Sequence, residues 1–229
     1  MRPLFAQIGK RDDYRRQGRD EWGDLMPGYH GDWRDRISSA LPDNVSLMII
    51  GLCVLVSLLS LVAPGFVYDY LALNPALLAE RPWTIITHMF VHAGFDHLFW
   101  NMLFLFFFGV ELERRVGAGR FLTIYFVSGI AAALGQMAVS SGTLLGASGA
   151  LFGVMGCLAI IAPEIKVLLF FVIPLKIQYA VVLFAALDFL GIVGPGPVDN
   201  IAHAAHLVGL VAGIAFGMAM RNQPRYHYV

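Results

Sequence analysis

Polar and apolar positions divide this chain into a polar stretch, residues 1–43, and six long apolar runs with short polar or glycine-rich connections. The runs lie near 44–63, 97–113, 120–139, 148–163, 176–193 and 202–220. They are too long and continuous for the alternating strands of a barrel. In lipid the backbone must satisfy its own hydrogen bonds, so such runs become helices. A helix needs about 20 residues to cross the hydrocarbon. The pattern therefore predicts an all-α polytopic membrane protein with six spans. Residues 1–43 are expected as a polar tail, 44–220 as the membrane domain and 221–229 as a second short tail.

Composition supports the use of lipid as solvent. The chain is 58% hydrophobic and only 14% charged, against about 25% charged in a soluble domain. Mean hydropathy is +0.67. Net formal charge is zero, which gives no reason to expect nucleic acid as a partner. Cys53 and Cys157 sit inside apolar runs and read as small buried hydrophobes rather than a disulfide. Residues 1–43 mix arginines with acids such as Asp12, Asp13, Glu21 and Asp24. No apolar stretch opens the chain, so neither a signal peptide nor an acid-poor transit peptide is expected. Trp22 and Trp33 would touch the membrane interface.

Lysine and arginine mark the cytoplasmic side. With six spans, all 16 except Arg81 fall on the side of the two termini. Both ends are thus expected in the cytoplasm, and the short tail points to a bacterial inner membrane. Residues 64–96 form a long connection on the other side. It is apolar enough for Phe66–Leu73 to lie in the interface. Residues 191–201, rich in Gly and Pro, read as a mobile cap.

Ionisable residues inside a membrane are costly and mark function by default. Of seven histidines, His88, His92, His97, His203 and His206 lie in or beside the runs, leaving His30 and His227 in the tails. Gly146-Ala147-Ser148-Gly149 sits where a polar loop meets the fourth run. First-turn N–H groups there have no intrahelical partner and favour an anion such as a tetrahedral oxyanion. Gly146 and Gly149 let a substrate backbone approach. A plain serine cap with packing glycines would carry the same letters.

The fourth run is also short, about 24 Å at ~1.5 Å per residue against a core of about 30 Å. That sinks Ser148 below the outer boundary and requires a watered cavity. In the sixth run Gly209, Gly213 and Gly217 repeat every four residues, and the fourth carries Gly149, Gly153 and Gly156. If these stripes face each other, Ser148 and His206 come within reach, as nucleophile and base. Phe152, one turn below, would pack on the His206 ring. His97 and Asn101, at i and i+4, share a face. With the Ser148 N–H they form a candidate oxyanion hole, or else a helix–helix hydrogen bond.

Several pieces then match a known family. They are Pro82-Trp83-Thr84 through His92, His97-Leu98-Phe99-Trp100-Asn101, Gly109-Val110-Glu111-Leu112-Glu113 with Gly117, the Ser148 box, and His206-Leu207-Val208-Gly209 with Gly213. In order and placement on the spans, the chain resembles the rhomboid intramembrane serine proteases from about Pro82 to Gly217. The resemblance implies a six-helix rhomboid-like bundle and a Ser148–His206 dyad with no third acid. It also implies oxyanion stabilisation by His97 and Asn101, and cleavage of transmembrane segments of other proteins near the membrane boundary. The fifth span and the 191–201 cap would form the substrate route. Thr84 stands where arginine is frequent in the family, and Phe152 where tyrosine is.

Two other readings compete with this one. His88 and His92 have a zinc-binding spacing, but Met89 follows His88 where a zincin has glutamate. No metal or other cofactor is expected, and the pair reads as loop support. A rhomboid-like chaperone or a transporter is the second competitor. Asp188 resembles a transport carboxylate, but it lies near the outer end, where it would cap a cavity or reach water. No inverted repeat is apparent. Lipid and transmembrane protein substrates are the expected partners.

Overall fold

A computed structural model describes residues 44–169, 172–194 and 201–221. The expected N-terminal tail, residues 222–229 of the C-terminal tail and residues 195–200 of the cap lie outside the described residues. The chain runs α1 (Val45–Val62), α2 (Pro64–Tyr70), α3 (Thr84–Thr87), α4 (Gly94–Val116), α5 (Ala118–Met137) and α6 (Ser148–Ile161). An antiparallel hairpin, β1 (Lys166–Leu169) with β2 (Ile173–Lys176), follows, then α7 (Ile177–Val193) and α8 (His203–Arg221). The all-α polytopic class holds. Helices α1, α4, α5 and α8 are long and apolar enough to cross a membrane, while α6 and α7 are shorter apolar helices.

Each break has a local cause. Pro64 occupies the first position of α2, where its missing N–H costs nothing. Gly117 separates α4 from α5 at φ 82°, donating its N–H to the Glu113 carbonyl at 2.7 Å. That backbone conformation suits glycine alone. Within α4, a π-turn spans Leu105–Gly109. The hairpin was not anticipated: its short apolar run from Val167 to Ile173 is ambiguous between strand and helix by periodicity.

Glu113, buried at the end of α4, closes the N-terminus of α1. Its carboxylate accepts from the Val45 N–H at 2.7 Å, the Ser46 N–H at 2.9 Å and the Ser46 hydroxyl at 2.5 Å. These are otherwise orphaned donors beside the positive end of a helix dipole. The carboxylate thus fixes α1 against α4. Outward, Leu55, Leu61, Val182 and Leu187 are exposed, as a lipid-facing surface requires. Cys53 and Cys157 are buried and free.

The centre of the bundle is α6, buried along most of its length and packed most extensively against α8 and then α5. The approach is backbone to backbone. A Cβ at Gly209 would run into the Gly149 carbonyl oxygen, and one at Gly213 into that of Gly153. A Cβ at Gly156 would lie 2.7 Å from the Leu210 carbonyl oxygen. In lipid, helices associate through such close packing.

The connection expected over 64–96 ends earlier, since α4 begins at Gly94, and residues 64–92 form short helices tied to one another. Trp83 donates its indole N–H to the Tyr70 carbonyl at 2.7 Å, and the Thr87 hydroxyl donates to Leu71 at 2.8 Å. Thr84 is buried and donates its hydroxyl to the Arg81 carbonyl at 2.7 Å.

Because backbone cannot yield at the α6–α8 contact, Gly213→Val is expected to destabilise the protein by roughly 3 kcal/mol or more. At Gly51 nothing lies within 4 Å of an added Cβ, so Gly51→Val should leave the thermal unfolding midpoint in detergent nearly unchanged. Equal midpoints for the two variants would refute this packing account.

Candidate active site

Ser148 is the first residue of α6, and Ala147 caps the helix, its carbonyl accepting from the Leu151 N–H at 3.0 Å. The N–H groups of Ser148, Gly149 and Ala150 therefore have no carbonyl one turn back. The loop leading here is held by hydrogen bonds. Leu144 and Leu73 exchange two backbone bonds of 2.8 and 2.9 Å, and the Gly146 N–H donates to the His88 carbonyl at 2.9 Å. Gly146 sits at φ 111°, and a Cβ there would lie 2.8 Å from both Cε1 and Nε2 of His97. Conformation and space both require glycine.

The contact of α8 with α6 brings His206 beside Ser148. Nε2 of His206 lies 2.8 Å from Ser148 Oγ. The imidazole stacks on Phe152, with ring centroids 4.3 Å apart and planes 6° from parallel. On its far side, Nδ1 of His206 lies 2.9 Å from Oδ1 of Asp188, and Nδ1 of His203 lies 2.7 Å from the same oxygen. Asp188, on α7, is buried; of the two expected placements, capping a cavity or reaching water, it does not take the second. It faces inward because two imidazoles offer it donors that lipid cannot.

His97 and Asn101 stand on α4. Nδ1 of His97 accepts from the Ala93 N–H at 3.2 Å, which leaves the proton on Nε2, beside Gly146. Asn101 is buried and donates one amide hydrogen to the His97 carbonyl at 2.7 Å. Both residues, with Ser148, His206 and Phe152, line a cavity of about 560 Å³. His92 supports this wall from behind. Its Nδ1 donates to the Phe90 carbonyl at 3.3 Å, its ring meets that of His97 edge-on at 5.1 Å, and its carbonyl accepts from the Tyr68 hydroxyl at 3.3 Å. Gly149 lies in the α6–α8 contact rather than open to the cavity.

Metal-ligating geometry falls elsewhere than the sequence spacing suggested. His88 donates its Nδ1 proton to the Thr84 carbonyl at 2.9 Å, and the His88–His92 pair forms no ligand cluster among the described residues. Asp188, His203 and His206 each present one ligand atom, all within 4.8 Å of one another. The sequence carried a signal for this: an acid alone in one apolar run, and histidines at i and i+3 in the next.

Residues 79–223, well over half the chain, match the family model of the Rhomboid domain. The chain belongs to the rhomboid family. It is 31% identical over 143 residues to rhomboid protease GluP of Bacillus subtilis, covering 62% of this chain and 27% of GluP. It is 28% identical over 183 residues to rhomboid protease GlpG of Yersinia enterocolitica, covering 77% of this chain and 62% of GlpG. Rhomboid-related protein 1 of Caenorhabditis elegans is 32% identical over 151 residues, covering 62% of this chain and 41% of that protein. The chain thus spans under two thirds of the length of each of these rhomboid relatives.

Burial lowers the pKa of His88 and of His92 to about 4, the positive charge of a protonated His97 adding to the effect at His92. Unfolded, each would titrate near its usual value of about 6.5. Between those values only the unfolded chain binds the protons, so stability falls as pH drops from about 6.5 towards 4. The thermal midpoint in detergent is expected to decline from pH 7 to pH 5, and a His88→Gln/His92→Gln variant to flatten that decline. An unchanged slope in the variant would exclude these histidines as its source.

Proposed function

We propose that this rhomboid is an intramembrane serine endopeptidase that cleaves transmembrane segments of other membrane proteins, with Ser148 as nucleophile and His206 as general base. The observation that carries the reading is the 2.8 Å bond from Ser148 Oγ to His206 Nε2 at the edge of a cavity large enough for a peptide segment. Two of the relatives, GluP and GlpG, are named rhomboid proteases, which supports proteolysis as the activity.

The chemistry follows from the groups present. His206 Nε2 takes the Ser148 proton as Oγ adds to the scissile carbonyl. The developing oxyanion is met by the Ser148 N–H, the Nε2–H of His97 and the second amide hydrogen of Asn101. The imidazolium then protonates the leaving amine, and water from the cavity hydrolyses the acyl-enzyme with His206 again as base. Gly146 keeps the His97 side of the site open. Phe152 holds the imidazole by stacking, for which the tyrosine hydroxyl frequent in the family is not needed.

The remaining features fit one arrangement. Six spans, counting the short α6 and α7, leave both termini in the cytoplasm, as the lysine and arginine distribution requires, and a bacterial inner membrane suits the chain. The polar tails at 1–43 and 221–229 flank the membrane domain. Substrate enters past α7, where the Phe184 ring closes the cavity against Phe104 and Phe152, with centroids 6.3 and 6.4 Å apart.

Wild type is expected to react with a fluorophosphonate and to cleave a model transmembrane substrate in detergent. Ser148→Ala should abolish both while the unfolding midpoint holds, and His206→Ala should do nearly as much. Cleavage by Ser148→Ala would reject the assignment. An unlabelled wild type would point to a non-proteolytic relative.

For the oxyanion role, Asn101→Ala is expected to lower kcat by roughly 10- to 1,000-fold with KM little changed. A loss confined to KM would assign Asn101 to substrate binding instead.

A further inference from the structure

The family resemblance implies a Ser148–His206 dyad with no third acid, yet the buried carboxylate of Asp188 stands behind His206. We propose that Asp188 is a positioning residue for His206, holding its imidazole in the tautomer that a general base needs, with His203 as the second donor that fixes the carboxylate. The proposal rests on the proteolytic reading above and deepens it.

A carboxylate oxygen only accepts hydrogen bonds. Oδ1 of Asp188 lies 2.9 Å from Nδ1 of His206 and 2.7 Å from Nδ1 of His203, so both nitrogens carry protons. A neutral imidazole holds one proton, which leaves the lone pair of His206 on Nε2. That nitrogen is 2.8 Å from Ser148 Oγ. The hydroxyl therefore donates to it, and the proton transfer of the first chemical step is already aligned. With the other tautomer, Nε2–H would face the hydroxyl and could not take its proton.

The packing is built around this carboxylate. Gly191, three residues after Asp188 on α7, lies against the His203 ring, and any Cβ there would overlap it. So α7 presents a bare backbone patch next to its one acid, and the His203 ring fills that patch. Asp188, His203 and His206 are buried or half-buried, so water screens these bonds weakly. The groups facing His206 are Asp188 from α7, Ser148 and Phe152 from α6, and His97 from α4; His203 precedes it by one turn on α8. The same three ligand atoms would suit a divalent cation, but a metal at Nδ1 would displace both protons, and the test separates the two arrangements.

Three measurements decide it. Asp188→Asn keeps the size of the side chain but lets its amide donate to Nδ1, favouring the wrong tautomer. In detergent, with folding checked by the thermal midpoint, kcat is expected to fall roughly 100-fold or more with KM within about threefold. A kcat within threefold of wild type, or a loss carried by KM, overturns the proposal. In wild type, nitrogen-15 spectra of labelled histidine, with His206 assigned by its loss in His206→Gln, should show a protonated Nδ1. A proton on Nε2, or an Nδ1 without one, overturns it whether or not the asparagine variant folds. Wild-type activity should survive strong chelators, whereas loss restored by zinc would overturn the proposal in favour of a metal. A wild type that does not react with fluorophosphonate would sink the proteolytic reading and this one with it. A reactive wild type beside an undiminished Asp188→Asn would sink this one alone.

Discussion

The approach of α6 to α8 through bare backbone is the constraint on which the rest of this structure depends. Apolar side chains gain nothing from leaving lipid for each other, so two membrane helices are held by dispersion and polar contacts at short range. Here Gly209 and Gly213 lie on the carbonyls of Gly149 and Gly153. Larger residues would space the axes roughly 8–10 Å apart, as in ordinary helix pairs. That wider spacing would draw the Ser148 hydroxyl away from the His206 imidazole. The 2.8 Å contact between Ser148 and His206 thus depends on Gly149 beside the serine and on Gly153, Gly209 and Gly213 about one to two turns further into the bundle.

A second constraint is that α6, at 14 residues, is shorter than the roughly 20 residues that cross the hydrocarbon, so the peptide groups of its leading loop need partners from the protein. Such backbone survives only where protein satisfies it. The two bonds between Leu73 and Leu144 and the one from Gly146 to His88 do this. They also explain why residues 64–92 are folded into short helices rather than left as a loose connection. The same segment holds His92 behind His97, and His97 beside Gly146. The wall of the cavity opposite His206 is therefore fixed by the same hydrogen bonds that hold the loop leading to Ser148.

Much of this was legible in the letters. The helix order follows from apolar runs, and the Ser148–His206 approach from glycines spaced four apart in two of them. Phe152 was placed against His206 by counting one turn. The hairpin after α6 was not readable, because a short apolar run of mixed β-branched residues has no distinguishing period. The role of Glu113 was missed because nothing local tells a helix-terminal acid that caps a distant helix from one that is solvated. Glu111, two residues earlier, instead pairs with Arg114 and Arg115 at the protein surface. Asp188 was seen, but sequence position along a helix does not say which way the side chain turns. That depended on two histidines in the next helix.

Asp188 also shows why stability and chemistry converge in this bundle. An isolated carboxylate inside lipid or protein is expensive, and the cost is offset only by donors at close range. His203 and His206 supply them, and in doing so each commits its Nδ1 proton. For His206 that commitment leaves Nε2 as the acceptor for Ser148. The hydrogen bonds then run in one direction, from hydroxyl to imidazole to carboxylate, and reversing any one of them would leave a buried group unsatisfied. An arrangement demanded by the cost of burying a charge is therefore the one that, on the proposed proteolytic reading, activates the serine.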